Sequence, residues 1–307
     1  MKFKRFTSKN ILGNSLVVLL YLLWMSIVGD LKSDHFLLVA IWLTVFYASE
    51  KTRRFVLGFS VFIIFWILYD SMRIVPNYKV STPHIAQPYN FEKVLFGIKY
   101  LGKILTPNEY FLVVNNSVLD FLSGFFYLNW MPVPIGFGIY LYLTNKKLFL
   151  EYSLAFLLVN IIGFVIYYVY PAAPPWYIQK YGFELRVGVP GNRAGLWRFD
   201  ELVGIPVFKF IYNKNANVLA AMPSLHAAYP VIVFYYAYKK GVSRLAMFFF
   251  LIFLFGIWFS AVYSSHHYVI DVLAGISVAI FTLIVFEKIL LKNSFIKSKI
   301  RAFSERI

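Results

Sequence analysis

The chain has 307 residues, of which 60% are hydrophobic, 21% aromatic and only 14% charged, with a mean hydropathy of +0.67. That composition excludes a water-soluble globule, which carries about a quarter charged residues, and a disordered chain, which is poor in apolar and aromatic side chains. There is no cysteine, which excludes disulfides, thiolate nucleophiles and cysteine-ligated zinc or iron–sulfur centres, and the net charge of +16 comes from 30 Lys and Arg against 14 Asp and Glu.

A spanning helix needs about 20 mainly apolar residues. The first such run, Ile11–Gly29, follows a basic start of Lys2, Lys4, Arg5 and Lys9. It has the outline of a signal peptide, but it is long, lacks a small-residue cleavage site and is followed at once by another apolar run, so it reads as a retained helix. The second run is His35–Ser49 and the third Phe55–Tyr69, separated by a cationic turn, Glu50-Lys51-Thr52-Arg53-Arg54. A polar stretch, Asp70–Asn108, contains Pro76, Pro83 and Pro88. Tyr110–Leu128 is apolar but interrupted by Asn115, Asn116, Ser117 and Asp120, and reads as a buried or re-entrant helix near the membrane face. Trp130–Leu143, entered through Pro132 and Pro134, is the fourth span and Phe149–Tyr170 the fifth. After the longest polar segment, Pro171–Leu219, come three more spans: Ala221–Tyr238, Leu245–Tyr263 and Tyr268–Leu291. The basic tail from Lys292 is expected to fray.

The expected fold is therefore all-α: a polytopic membrane helical bundle of about eight spans, without a repeat or a separate soluble domain. It divides into N-terminal transmembrane helices with an external loop (1–110), a catalytic transmembrane core (111–291) and a basic cytoplasmic tail (292–307). The positive charges test the count. With both termini in the cytoplasm, cytoplasmic segments hold Lys51, Arg53, Arg54, Lys146, Lys147, Lys239, Lys240, Arg244 and both basic tails. The short loops opposite hold only Lys32, beside Asp30 and Asp34, and no Lys or Arg at all in Ser264–His267. Eighteen of the 30 cations fall on the cytoplasmic side, and six of the other 12 lie in Pro171–Leu219. Such charges set topology and meet anionic lipid; nucleic acid is not an expected partner, since so apolar a chain offers no continuous basic face.

Ionisable groups near membrane helices are costly and mark function. Of five histidines, three sit in two tight contexts on the same expected membrane face: Pro223-Ser224-Leu225-His226 and His266-His267-Tyr268-Val269-Ile270-Asp271. His267 and Asp271 are four residues apart, hence neighbours on a helix. A carboxylate there fixes the imidazole tautomer, and an imidazole so held serves as nucleophile or base. Pro223 suits a first helical turn. Ser224 and His226 then fall near a helix N-terminus, where an anion is favoured. A phosphate placed there accepts from Ser224, while His226 protonates a leaving oxygen. The bland alternatives are a structural His–Asp pair and a plain Ser cap. His226, His267 and Asp271 are also possible metal ligands, but no carboxylate-rich motif accompanies them, so no metal or other cofactor is expected.

With Ser260, these residues resemble the type 2 phosphatidic-acid phosphatase superfamily, which has a Pro-Ser-Gly-His motif and a later Ser-Arg-(five)-His-(three)-Asp motif. Here Leu225 replaces the Gly and Ala261 the Arg, and the superfamily's Lys-(six)-Arg-Pro motif is not recognisable. Pro-Ser-Leu-His-Ala, His-His-Tyr-x-x-Asp, Ala173-Pro174-Pro175-Trp176-Tyr177 and Gly195-Leu196-x-Arg198-x-Asp200 resemble the branch of fungal inositol phosphorylceramide synthases and their bacterial relatives, over residues 120–290. The resemblance implies a membrane phosphotransferase moving inositol phosphate from phosphatidylinositol to the primary hydroxyl of ceramide, with phospholipid and sphingolipid substrates. It implies His267 as nucleophile through a phosphohistidine, Asp271 as its orienter and His226 as acid and base. Arg193 and Arg198 are candidates for the phosphate cations, with lipid head-group contact the alternative for Arg193. Asp200 either pairs with Arg198 or bonds inositol hydroxyls. Trp176 and Tyr177 serve either as an interfacial anchor or as a lid over the lipid entrance. His266 is either a proton shuttle or a packing neighbour; His35 and His84 are not expected to be catalytic. Asp120, with Asn115 and Asn116, is a possible source of polar groups in the cavity. A lipid phosphate phosphatase, with water as acceptor, and a non-enzymatic lipid transporter are the competing readings. The site is expected on the non-cytoplasmic face of a multi-pass integral membrane protein (the inner or cell membrane in a bacterium).

Overall fold

The computed structural model describes residues 6–28, 31–72, 75–212 and 217–307. Lys2, Lys4, Arg5, Gly29 and Asp30, which entered the topology argument, lie outside the described residues. In chain order the helices are α1 (Ser8–Val28), α2 (Ser33–Ala48), α3 (Glu50–Gly58), α4 (Ser60–Ser71) and α5 (Ala86–Phe96). A short hairpin follows, β1 (Ile98–Tyr100) with β2 (Lys103–Leu105), paired antiparallel with Ile98 opposite Leu105. Next come α6 (Pro107–Val113), α7 (Ser117–Leu128), α8 (Pro132–Thr144), α9 (Lys146–Val169), α10 (Pro175–Tyr181), α11 (Trp197–Val203) and α12 (Val207–Tyr212). The chain ends with α13 (Leu225–Lys240), α14 (Arg244–Tyr263), α15 (Val269–Val285) and α16 (Ser294–Ser304).

Among the described residues four helices are long and apolar enough to cross a bilayer alone: α1, α9, α14 and α15. The α3–α4 pair makes a fifth, bent by 49°. The other three expected spans fall on the shorter helices α2, α8 and α13. The result is a polytopic helical membrane bundle.

Several expectations change. The cationic turn at Glu50–Arg54 is helical, because Ser49 caps α3: its hydroxyl accepts from the Thr52 N–H at 3.1 Å while Thr52 returns the bond. The third span bends between Gly58 and Ser60, where the Ser60 hydroxyl bonds the Leu57 carbonyl at 2.7 Å. The Tyr110–Leu128 segment is two helices. They part at Asn115, which bonds back to the Phe111 and Leu112 carbonyls, and at Asn116, which caps α7. Pro223 precedes the cap of α13 rather than opening its first turn, since Ser224 takes the cap position. The tail does not fray: α16 has one apolar edge, and Ile300 and Ile307 are buried against the bundle.

The core is aromatic. Phe137, Phe149, Tyr152, Phe156, Tyr229 and Tyr236 interlock between α8, α9 and α13. Their hydroxyls find partners, as groups inside a bilayer must: Tyr152 donates to the Pro134 carbonyl at 2.8 Å and Tyr229 to Asn160 at 2.6 Å. At one end of the bundle Lys239 bridges Glu151 (2.9 Å) and Glu287 (2.7 Å), tying α9, α13 and the turn that follows α15. At the opposite end the polar segments knit together. Residue 84 pairs with residue 172 and residue 172 with residue 220 as isolated parallel bridges, and Asn77 donates to the Tyr167 and Leu219 carbonyls. α13 is the central post, in contact with α9, α14 and α15.

α15 meets α13 backbone to side: a Cβ on Gly275 would stand 2.1 Å from the Ser224 carbonyl oxygen. Backbone cannot yield as a flexible side chain does. Gly275→Val is expected to cost about 1–3 kcal/mol or more, read as a lowered melting temperature in detergent. Gly136→Ala, whose added methyl meets nothing within 4 Å, is expected to leave the melt unchanged.

Candidate active site

Two helix starts build the site. At the first, the Ser224 hydroxyl accepts from the Ala227 N–H at 3.3 Å and starts α13, placing His226 on the opening turn. At the second, the chain leaves α14 and reverses through Ser265, which takes a left-handed φ of 60°. The N–H groups of His266 and His267 both donate to the Ala261 carbonyl (3.1 and 3.0 Å), and α15 begins after Tyr268. The starts are joined directly, because the Ser224 N–H donates to the Asp271 carbonyl at 2.9 Å.

This junction brings His226, His267, Asp271 and Ser224 together, as the spacing suggested. His267 Nδ1 lies 2.9 Å from the Ala221 carbonyl oxygen and 3.8 Å from Asp271 Oδ2. A carbonyl oxygen only accepts, so the proton is assigned to Nδ1 and the lone pair to Nε2. That lone pair faces His226 Nδ1 at 3.2 Å. The nearer orienter of His267 is thus the Ala221 carbonyl. Asp271 stands behind it, its Oδ2 accepting from the Tyr268 N–H at 2.8 Å. Among the described residues no group of three metal-binding side chains comes together.

The wall around the dyad is aromatic, and sequence reasoning missed it. The Tyr127 hydroxyl lies 3.2 Å from His226 Nδ1, and Trp130 sets its edge on the His226 ring at 4.7 Å. His266 is stacked between Tyr127 (5.2 Å) and Tyr212 (4.5 Å), with Nε2 3.2 Å from the Arg193 carbonyl oxygen. That arrangement packs it firmly beside the dyad. With 23 tyrosines and 33 phenylalanines in the chain, nothing local distinguishes Tyr127 or Tyr212.

The expected phosphate cations are both paired. Arg193 Nη1 contacts Asp200 Oδ2 at 2.9 Å, and Asp200 also accepts from the Phe208 and Lys209 N–H groups, so it holds the start of α12 instead of pairing with Arg198. Arg198 Nε bonds Asp120, its guanidinium lies 5.0 Å over the Tyr263 ring, and Tyr263 donates to the same carboxylate at 2.7 Å. Asp120 therefore serves the α7–α11 contact, while the Asn115 and Asn116 side chains bond nearby backbone in their own segment.

Trp176 and Tyr177 are buried, which removes the interfacial-anchor reading. The Trp176 N–H donates to the Ser265 carbonyl at 3.1 Å and the Tyr177 hydroxyl accepts from the Arg186 N–H at 2.6 Å, so α10 is packed onto the histidine turn. His84 stacks on Tyr170 at 3.9 Å and His35 lies beside Asp34 and Asp70, both away from the dyad. Behind Met222 and Pro223 an open apolar groove of about 740 Å³ runs between α5, α9 and α15, walled by Phe91, Val94, Ile166, Ile270, Ala274 and Val278.

Burial governs the charge state of the histidine turn. It pushes His267 down to about 4, although the bond to the Ala221 carbonyl acts the other way. Burial, reinforced by the charge on His267, takes His266 to about 3. Both rings are therefore uncharged near neutral pH, the state in which an imidazole is a nucleophile.

The chain is also similar to known proteins. The sequence model of the PAP2 superfamily matches residues 107–285. The chain is 46% identical over 287 residues to the phosphoinositol dihydroceramide synthase of Bacteroides thetaiotaomicron, covering 93% of this chain and 94% of that protein. It is 27% identical over 257 residues to the inositol phosphorylceramide synthase catalytic subunit of Schizosaccharomyces pombe (82% of this chain, 57% of that one). To the inositol phosphorylceramide synthase of Candida albicans it is 24% identical over 253 residues, 80% of this chain and 50% of that one. The chain thus spans only about half the length of these fungal relatives. No solved structure matches.

A group whose folded value is lowered takes up its proton only at more acid pH, so His267 is expected to stay neutral down to about pH 5 and to titrate with a midpoint near 4. Nitrogen-15 NMR of histidine-labelled protein in micelles reads this directly. A midpoint near the ordinary 6.5 or so would show a solvated ring instead.

Proposed function

Since this chain belongs to the PAP2 superfamily, we propose that it is a lipid phosphotransferase that moves an inositol-phosphate head group from phosphatidylinositol to the primary hydroxyl of a ceramide-like lipid, releasing diacylglycerol. The observation that carries the mechanism is the pair of facing imidazoles, His267 Nε2 and His226 Nδ1, 3.2 Å apart. Near-full-length similarity to a phosphoinositol dihydroceramide synthase supports the choice of head group and acceptor.

In this reading the contact leaves no room for a phosphorus atom, so the donor head group parts the two rings. The incoming diester carries a negative charge that favours a protonated His226. His267 Nε2 attacks phosphorus; the N–P bond forms, the bond to the diacylglycerol oxygen breaks, and His226 delivers its proton to that oxygen. His267 keeps its Nδ1–H, held by the Ala221 carbonyl with Asp271 behind it, which stabilises the positive charge on the phosphohistidine ring. In the second half the acceptor hydroxyl gives its proton to His226 and attacks phosphorus, and the N–P bond breaks. Two displacements replace one difficult step.

The Ser224 hydroxyl accepts from Ala227 and has its own hydrogen free for a phosphate oxygen. Arg193 is the cation tied to the dyad, its carbonyl holding His266, and its side chain is 30% exposed, so it can turn from Asp200 to the phosphate. Arg198 and Asp200 support that loop, and Trp176 and Tyr177 roof it. The apolar groove beside Met222 suits hydrocarbon and agrees with lipid substrates. The cations at Lys51–Arg54, Lys146–Lys147 and Lys239–Arg244 support a non-cytoplasmic position for the opposite, histidine-bearing end. The catalytic unit is residues 111–291.

Purified protein given labelled phosphatidylinositol is expected to release diacylglycerol in quantity only when a ceramide is supplied. Free inositol phosphate released without acceptor would instead identify a phosphatase. His267→Ala is expected to lower turnover by about 10³-fold or more, and His226→Ala by about 10²–10⁴-fold. Brief exposure to donor should add the mass of inositol phosphate at His267, and a fully active His267→Ala protein would overturn the mechanism.

A further inference from the structure

The nucleophile is carried on a turn rather than inside a helix, and a turn needs external supports to hold a side chain to a fraction of an ångström. Two such supports come from outside the two histidine motifs. Asn108, in the first turn of α6, is wholly buried, and its Nδ2 donates to two carbonyl oxygens, Val262 at 2.7 Å and His267 itself at 2.9 Å. Glu92, on α5, is wholly buried too, and its carboxylate accepts from the Val269 N–H at 2.9 Å and the Ile270 N–H at 3.1 Å. The His267 N–H goes to the Ala261 carbonyl and its Nδ1 to the Ala221 carbonyl. The backbone from His267 to Ile270 is thus gripped on one side by Asn108 and on the other by Glu92. These two side chains stand 159 and 177 residues away from their partners along the chain.

We infer that Asn108 and Glu92 are positioning residues for His267: a two-sided clamp that sets the aim of its Nε2 without touching substrate. The inference rests on the phosphotransfer reading for its catalytic consequence, but the clamp is a property of the turn. A displacement of about 1 Å at a reacting atom costs on the order of 10²-fold in rate. The clamp therefore acts on the chemical step and leaves substrate binding alone. A plain packing role predicts the opposite: fewer folded molecules, each fully active.

Asn77 supplies the control, because it is equally buried and also donates to two carbonyls, those of Tyr167 and Leu219, neither of which belongs to the histidine turn. In nanodiscs containing phosphatidylinositol, with a soluble short-chain ceramide as acceptor, Asn108→Leu and Asn108→Asp both lack the donor. Each is expected to lower kcat per folded molecule about 10- to 100-fold, with both KM values within about twofold. Glu92→Gln, which keeps an accepting oxygen, should retain more activity than Glu92→Ala. Asn77→Leu should melt earlier but keep its kcat per folded molecule. Equal losses in Asn108→Leu and Asn77→Leu, or an unchanged kcat in Asn108→Leu, overturn the clamp. If the wild-type protein makes no inositol phosphorylceramide, the proposed function fails. The clamp is then read from the rate at which diethyl pyrocarbonate modifies His267, followed by mass spectrometry. Acceleration of about tenfold in Asn108→Leu but not Asn77→Leu supports it, and equal rates refute it.

Discussion

The bond from the Ser224 N–H to the Asp271 carbonyl, 2.9 Å long, is the contact on which the site depends. It ties the start of α13 to the first turn of α15, and each of those starts carries one of the two facing histidines. The bond forms only because Gly275 has no Cβ to hold the two backbones apart. Both groups are main-chain atoms, so no side-chain rotamer enters the geometry. Leaving either unpaired in the interior costs about 1–3 kcal/mol. The 3.2 Å separation of the His226 and His267 nitrogens follows from a rigid backbone junction, with the Ala221 carbonyl and the Tyr127 hydroxyl setting the ring angles.

The same demand for satisfied backbone explains the long polar segments at that end of the bundle. A turn sunk between helices exposes carbonyls and N–H groups that water does not reach, and each must find a partner. Asn77, Asn108 and Glu92 each satisfy two such groups. All three belong to the stretch between α4 and α7. A boundary at residue 110 therefore separates the histidines from two of the side chains that bond to their turn, Glu92 and Asn108.

The spans were legible because lipid tolerates only continuous apolar helix, so each crossing leaves a run of apolar residues in the sequence. The dyad was legible because its members sit at helix starts with local signatures: Pro223 and Ser224 before His226, and the four-residue step from His267 to Asp271. What stayed hidden is non-local. Nothing near Arg198 announces Asp120, 78 residues earlier, and nothing near Asp200 announces that it caps α12 and takes Arg193. Trp176 and Tyr177 carry the signature of interfacial residues, yet α10 turns them inward onto Ser265. The helical tail was missed for a related reason. Its basic residues fit a solvated end, while the isoleucines that anchor it, Ile300 and Ile307, are spaced too widely to signal a span.

In the proposed mechanism transferase and phosphatase share the first displacement, and the difference between them lies in what reaches the proposed phosphohistidine next. Water at about 55 M outnumbers any lipid hydroxyl, so a transferase must keep it away from phosphorus. The means are visible here. His267 is only 5% exposed, Tyr127, Trp130 and Tyr212 line the approach with rings, and α10 packs over the turn. The His226 and His267 rings lie against each other, with nitrogens 3.2 Å apart. A lipid alcohol brings its own hydrocarbon to displace these contacts, whereas a water molecule gains nothing to offset parting them. In the proposed mechanism the selectivity against hydrolysis comes from the buried aromatic enclosure of the dyad.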